Sequence, residues 1–153
     1  MTIVATVHWD RTDIMGAMRA FQRLKDSADK GSDAFVNDVA RNVYRLSQVI
    51  VPVRTGRLRA SGRVSESQTS GPLHTASVEY GGLGTTLNRS GQDYAIYAHE
   101  IPPTHGGKGN TGNKHKPPTS YKYLERPAAE EFARADPKLY RHLVARFEKD
   151  WYN

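Results

Sequence analysis

The stretch Val51–Ser61, VPVRTGRLRAS, packs three arginines into the six residues from Arg54 to Arg59, around a Thr-Gly pair. Its position decides the fold, because Pro52 disfavours helical geometry in the residue ahead of it and so closes whatever helix arrives there. Such a helix is written just upstream. Phe35/Val36, Val39, Val43, Leu46 and Ile50 line one stripe, and Arg41, Asn42, Arg45 and Gln48 fall largely elsewhere. Further back, DKGSD reads as a break, with Gly31 suited to a helix C-cap and Ser32 or Asp33 to a new N-cap. Ahead of it Ile14, Met18, Phe21 and Leu24 recur at helical spacing, which predicts an earlier helix, capped by Asp10 or Thr12 and running to about Ala28. Thr2–Trp9 is short and β-branched, a strand by composition.

Downstream of Gly62 the periodicity changes. RVSES and HTASVEY place Val64, Ala76, Val78 and Tyr80 at period two, as in half-buried strands, and Asp93–Glu100, DYAIYAHE, reads as a third. Ile101–Tyr121 holds four Pro, four Gly, Lys108, Lys114 and Lys116, and no acid. That composition cannot supply a packed core, so an extended loop of about twenty residues is expected. Helical composition returns with Pro127 in the first turn of a helix through Ala128–Ala133. Asp136 as cap and Pro137 at the first position open a last helix, with Leu139/Tyr140, Leu143, Phe147 and Trp151 as its stripe. The expected class is α+β: one domain over residues 1–153, helices early and late, packed on a small antiparallel sheet.

At 153 residues, 37% hydrophobic content and mean hydropathy −0.68 are low for a compact monomer. Either part of the chain is loop, or neighbouring subunits complete some of the core. The chain has no cysteine, which excludes disulfides and thiolate metal sites. No apolar run approaches the ~18 residues of a membrane span, and no signal pattern opens the chain, so a soluble protein of a reducing compartment is expected. Net charge is +6, and the surplus lies in residues 39–123, with eleven basic and four acidic residues. A basic middle between balanced ends suggests a positive face for phosphate or for an acidic protein surface.

Catalytic and metal constellations fail on spacing. HEIPPTH separates His99 from His105 by six with two prolines between, which forbids the zinc helix motif; adding His115 leaves a three-His site arithmetically open but without an orienting carboxylate beyond Glu100. Asn113 interrupts the Gly-Lys that a phosphate loop would need. No nucleophile elbow occurs, and Glu130–Glu131 point apart on a helix. No enzyme, metal or cofactor is expected. The six arginines between Val39 and Ser65, at 41, 45, 54, 57, 59 and 63, stand with no acid among them. Their planar forks suit carboxylate or phosphate. Aromatic interleaving for nucleic acid is thin, since only Tyr44 is near. Pairing with Glu130, Glu131 or Asp150 of this or a neighbouring chain is the plainer use.

Three segments in order carry a resemblance. Pro52, Thr55, Gly56, Leu58, Arg59 and Ser61 follow the helix; Tyr94, Ala95, Tyr97 and Glu100 stand in YAIYAHE; Leu124, Pro127 and Ala128 stand in KYLERPAAE. Together these resemble the tailed-phage head–tail joining proteins of the tail-completion family, over about residues 35–135. The sequence departs where His99-Glu100-Ile101-Pro102 replaces the family's usual Glu-Phe/Tyr-Gly. The resemblance implies a non-enzymatic, structural neck component of the virion, assembled in the host cytoplasm. It implies a homo-oligomeric ring, commonly a hexamer or else a dodecamer, between a portal-side connector or stopper and the tail terminator. DNA in its channel would be touched only non-specifically, and no membrane is involved. On that reading Gly56 permits a tight turn, Thr55 caps the succeeding residues, and Leu58 anchors the turn. Arg54, Arg57 and Arg59 then reach outward, and with Arg63, Tyr97, Glu100, Lys108, Lys114 and Lys116 form the expected subunit and partner interface. The alternative is a non-specific nucleic-acid-binding module using the Arg41–Arg63 patch and the Lys108–Lys122 loop.

Overall fold

The computed structural model describes residues 11–53, 55–82, 86–87, 91, 93–100 and 120–152. The N-terminal strand expected at Thr2–Trp9 and the loop residues 101–119 lie outside them. The spine is α1, Arg11–Ile50, forty residues of uninterrupted helix. The break expected at DKGSD does not occur. Gly31 is not a C-cap: a Cβ there would meet Leu143 Cδ2 at 2.9 Å and Leu143 Cα at 3.2 Å. Its bare backbone is what lets a second helix come close. That helix is α5, Ala135–Tyr152. Ser27 donates to Asp150 Oδ2 at 2.7 Å, and the Phe35 ring meets His142 edge-on at 6.2 Å, so α5 runs antiparallel along α1. Its first turn opens one residue before the expected cap, leaving Asp136 and Pro137 inside it. Proline is tolerated there because first-turn amides have no helical partner.

Strands β1, Arg63–Ser70, and β2, Leu73–Glu79, form an antiparallel hairpin in register from Arg63↔Glu79 to Ser70↔Leu73, with an irregularity between Ser65 and Gln68. Gly71 takes φ 60 in the two-residue turn, a conformation that hairpin turns of this length require. The hairpin is clasped to α1 by one carboxylate. Asp33 Oδ1 accepts from Ser67 Oγ at 2.6 Å and Thr69 Oγ1 at 3.0 Å, and faces His74 Nδ1 at 2.8 Å. Asn37 adds an acceptor for the Ser67 amide at 2.8 Å.

The third strand expected over Asp93–Glu100 is a helix, α3, Tyr94–Glu100. Ala95 and Ala98, three apart, are the buried pair, and Ile96 and Tyr97 between them face out, which is helical rather than alternating burial. A single turn, α2, Arg57–Ala60, follows the Pro52 break, and α4, Glu125–Phe132, packs on α1 ahead of α5. Helices packed with a small antiparallel sheet make the fold α+β. No helix among the described residues is long and apolar enough to cross a membrane.

Candidate functional site

The buried nucleus at the C-terminal end of α1 consists of Val51, Leu58, Ala95, Ala98 and Tyr123, with Ile50, Tyr80, Tyr94 and Leu124 packed against it. These side chains come mainly from three separated segments: the end of α1 with α2, the helix α3, and residues 123–124. They are the segments whose order carries the family resemblance. Pro52 ends α1 after Ile50, and Gly56, at φ 81, turns the chain so that Leu58 points inward at 3% exposure. Gly56 itself holds the N-cap position and no side chain caps α2, so the capping expected of Thr55 is not made. A left-handed residue is what the turn required, and glycine supplies it without strain. The Ser120 amide donates to the Ile50 carbonyl at 2.7 Å, and Tyr123 donates its hydroxyl to the Ala95 carbonyl at 3.1 Å, stitching the third segment to the first two. Burial pushes the Tyr123 phenol well above its ordinary range.

Two polar frameworks hold this nucleus. Around Gly62, Ser47 gives its proton to the Tyr44 carbonyl at 2.7 Å, which leaves Tyr80 to donate to Ser47 Oγ at 2.7 Å and accept from Gln48 Nε2 at 2.9 Å. A Cβ on Gly62 would lie 2.6 Å from both the Gln48 amide nitrogen and the Tyr80 ring, so the cluster closes only over glycine. Burial, outweighing these hydrogen bonds, raises the Tyr80 pKa. On the other side Asp93 opens α3: Oδ1 accepts from the Ala95 amide at 2.9 Å and Thr86 Oγ1 at 2.6 Å, and Oδ2 from the Gly82 amide at 3.1 Å. Burial alone would raise the Asp93 pKa, but the three donors lower it.

The expected interface residues divide sharply. Arg54, Lys108, Lys114 and Lys116 lie outside the described residues. Thr55, Arg57 and Tyr97 are exposed, Tyr97 at 54%. Arg59 does not reach outward freely: it is half-buried, its carbonyl accepts from Gln48 at 3.0 Å, and its Nε is enclosed without a hydrogen-bond partner. Arg63 is engaged within the hairpin, donating to Glu79 Oε2 at 2.9 Å across the register, as Arg41 donates to Glu66 at 3.2 Å. Among the described residues, the pairings considered with Glu130, Glu131 and Asp150 are not the ones formed. Glu131 is buried against Lys138, and Asp150 takes Arg146 and Ser27. Glu100 lies in a clamp, with Lys122 Nζ at 2.9 Å and His99 Nδ1 at 2.7 Å, and Lys122 also reaches Glu125 at 2.7 Å. The Lys122 and His99 contacts lower the Glu100 pKa. Among the described residues, those expected at the site do not gather into one cationic cluster.

Among the described residues no group of three or more His, Asp or Glu could hold a metal ion. His105 and His115, the other members of the three-His arrangement, lie outside them. Two features carry no motif and were not read from the sequence. One is an apolar groove of about 600 Å³ between α1, β2 and α4; the other is the N-terminal half of α1, where Met18 and Phe21 are 66% and 71% exposed. The signal for both was present in the stripe itself, which is longer than one body can cover. Comparison with family models, characterised proteins and solved structures finds no match to this chain.

Proposed function

We propose that the protein is a structural, ring-forming adaptor of the kind that joins head to tail in tailed phages, with no bond-making chemistry. The observation that carries this reading is the use of the three resembling segments. Val51, Leu58, Ala95, Ala98 and Tyr123 supply one nucleus, and residues between them, Thr55, Arg57, Ile96 and Tyr97, stay outside. A module that spends its shared residues on a rigid seat, rather than on a cleft with reactive groups, suits assembly. A closed ring repeats each contact once per subunit, so pairs worth ~0.5–1 kcal/mol sum to a stable collar. The test is mass by light scattering for the purified chain, alone and with neck particles, followed by imaging. A closed multimer, or uptake of the chain onto the particle, is the expected result. A chain that stays monomeric and is not taken up would end the reading.

A further inference from the structure

One face of α1 carries two apolar stretches, Ile14–Phe21 and Val36–Val43, with Lys25 and Ser32 between them on the same arc, and only the second packs against the body. At 100° per residue, Ile14, Met18 and Phe21 fall within the same arc of about 60° as Val36, Val39 and Val43. The second set floors the groove, whose other walls include Val78 of β2 and Leu124 and Phe132 of α4. The first set has no cover from the body: Ile14, Met18 and Phe21 are 49%, 66% and 71% exposed. One chain thus carries both an unfilled apolar groove and an uncovered apolar stripe at the i, i+4, i+7 spacing of helix-in-groove anchors.

Their sizes agree. Ile14 to Phe21 spans about 11 Å of helix, and Val36 to Val43 about 11 Å. Glu125, paired with Lys122 but 62% exposed at its side chain, stands on the groove's wall, and Arg11 lies one turn ahead of Ile14, on the same side of α1, as an opposite charge.

The stripe cannot fold back into the groove of its own chain. Continuous helix holds Phe21 about 22 Å from Val36 along the axis. Residues 101–119, which begin two residues after His99 on the groove's lining, contain one large aliphatic side chain, Ile101, among prolines, glycines and polar residues. A second copy offers a ready-made apolar stripe of the groove's own length.

We propose that the bare stripe Ile14–Phe21 of one copy seats in the groove of the next, head to tail. This rests on the self-assembly part of the function proposed above. Such a contact is heterologous: each copy uses its arm once and its groove once, and the chain of contacts either closes or runs on.

The chain's lack of cysteine makes the test clean. Phe21→Cys and Phe132→Cys are placed in separate chains, both positions being exposed, then mixed and oxidised. The expected product is the mixed 21–132 disulfide. Phe21→Glu, in otherwise native protein, is expected to weaken self-association by about tenfold or more with helicity by circular dichroism unchanged. Like-with-like 21–21 or 132–132 bridges, or a monomer at every concentration, would overturn the proposal. A closed ring of fixed mass without the 21–132 bridge overturns this docking and leaves the ring reading standing. The 21–132 bridge in open oligomers of no fixed mass supports the docking and removes the ring.

Discussion

Asp93 decides an element by itself. Its carboxylate accepts the second amide of α3 and ties Thr86 and Gly82 to the same point, so three donors depend on it. Asp93→Ala is expected to cost about 1–3 kcal/mol in urea denaturation, from the lost cap and the orphaned partners. Asp33, Asp93 and Asp150 all titrate below their ordinary 3.8 in the folded chain. Hydrogen bonds from Ser67 and then His74 do this for Asp33, and one from Ser27 for Asp150; at Asp93 the donors overcome burial. The unfolded chain takes up protons first as the pH falls. The stability these groups contribute is therefore whole above about pH 5 and is lost as the pH drops through and below 3.8. Urea midpoints at pH 7 and pH 3 measure it, and a constant midpoint would refute it. Some residue roles were legible in sequence: Pro52 as a stop, Gly56 as a turn, Leu58 as an anchor. The partners of Arg63 and Arg59 were not, because they depend on hairpin register and on which way one short turn faces.

At the scale of elements, β2 was readable because the alternation of His74, Ala76 and Val78 is local, whereas in β1 the irregularity breaks the alternation after Val64. The two misread elements failed for tertiary reasons. DKGSD has every local mark of a helix end, yet Gly31 serves a crossing with Leu143 that no neighbouring residue announces. DYAIYAHE is too short for its period to separate strand from helix, and the capping aspartate was the missed signal. Two glycines of α1 give a paired prediction. A Cβ added at Gly16 would have nothing within 4 Å, whereas one at Gly31 meets the backbone of α5. Gly16→Ala is expected to raise stability by ~0.5–1 kcal/mol, through helix propensity alone. Gly31→Ala gains the same propensity but must displace α5, so a net loss of about 1–3 kcal/mol is expected. Thermal melts of the two variants check it, and stabilisation by both would show that α5 is loosely held.

For the whole molecule, the low hydrophobic content offered two explanations, loop or shared core, and sequence could not choose between them. The docking proposed for the bare stripe of α1 and the open groove would be a case of the second. Among the described residues of the basic middle, Arg41 and Arg63 spend their charge on Glu66 and Glu79. If the proposed neck role holds, contact with DNA in the channel is expected to be weak and to fall steeply between roughly 50 and 200 mM salt, as retardation assays would record. Persistence of binding at the higher concentration would point to a nucleic-acid module instead. Finally, α1 is a rod, and a rod sets phase as well as reach. One residue inserted between Gln22 and Arg23 would swing Ile14, Met18 and Phe21 about 100° around the axis, and seven would return them to within about 20° while lengthening the rod by about 10 Å. The separation and twist between joined subunits would then be written in the number of residues ahead of Gly31, an adjustable ruler at the start of the chain.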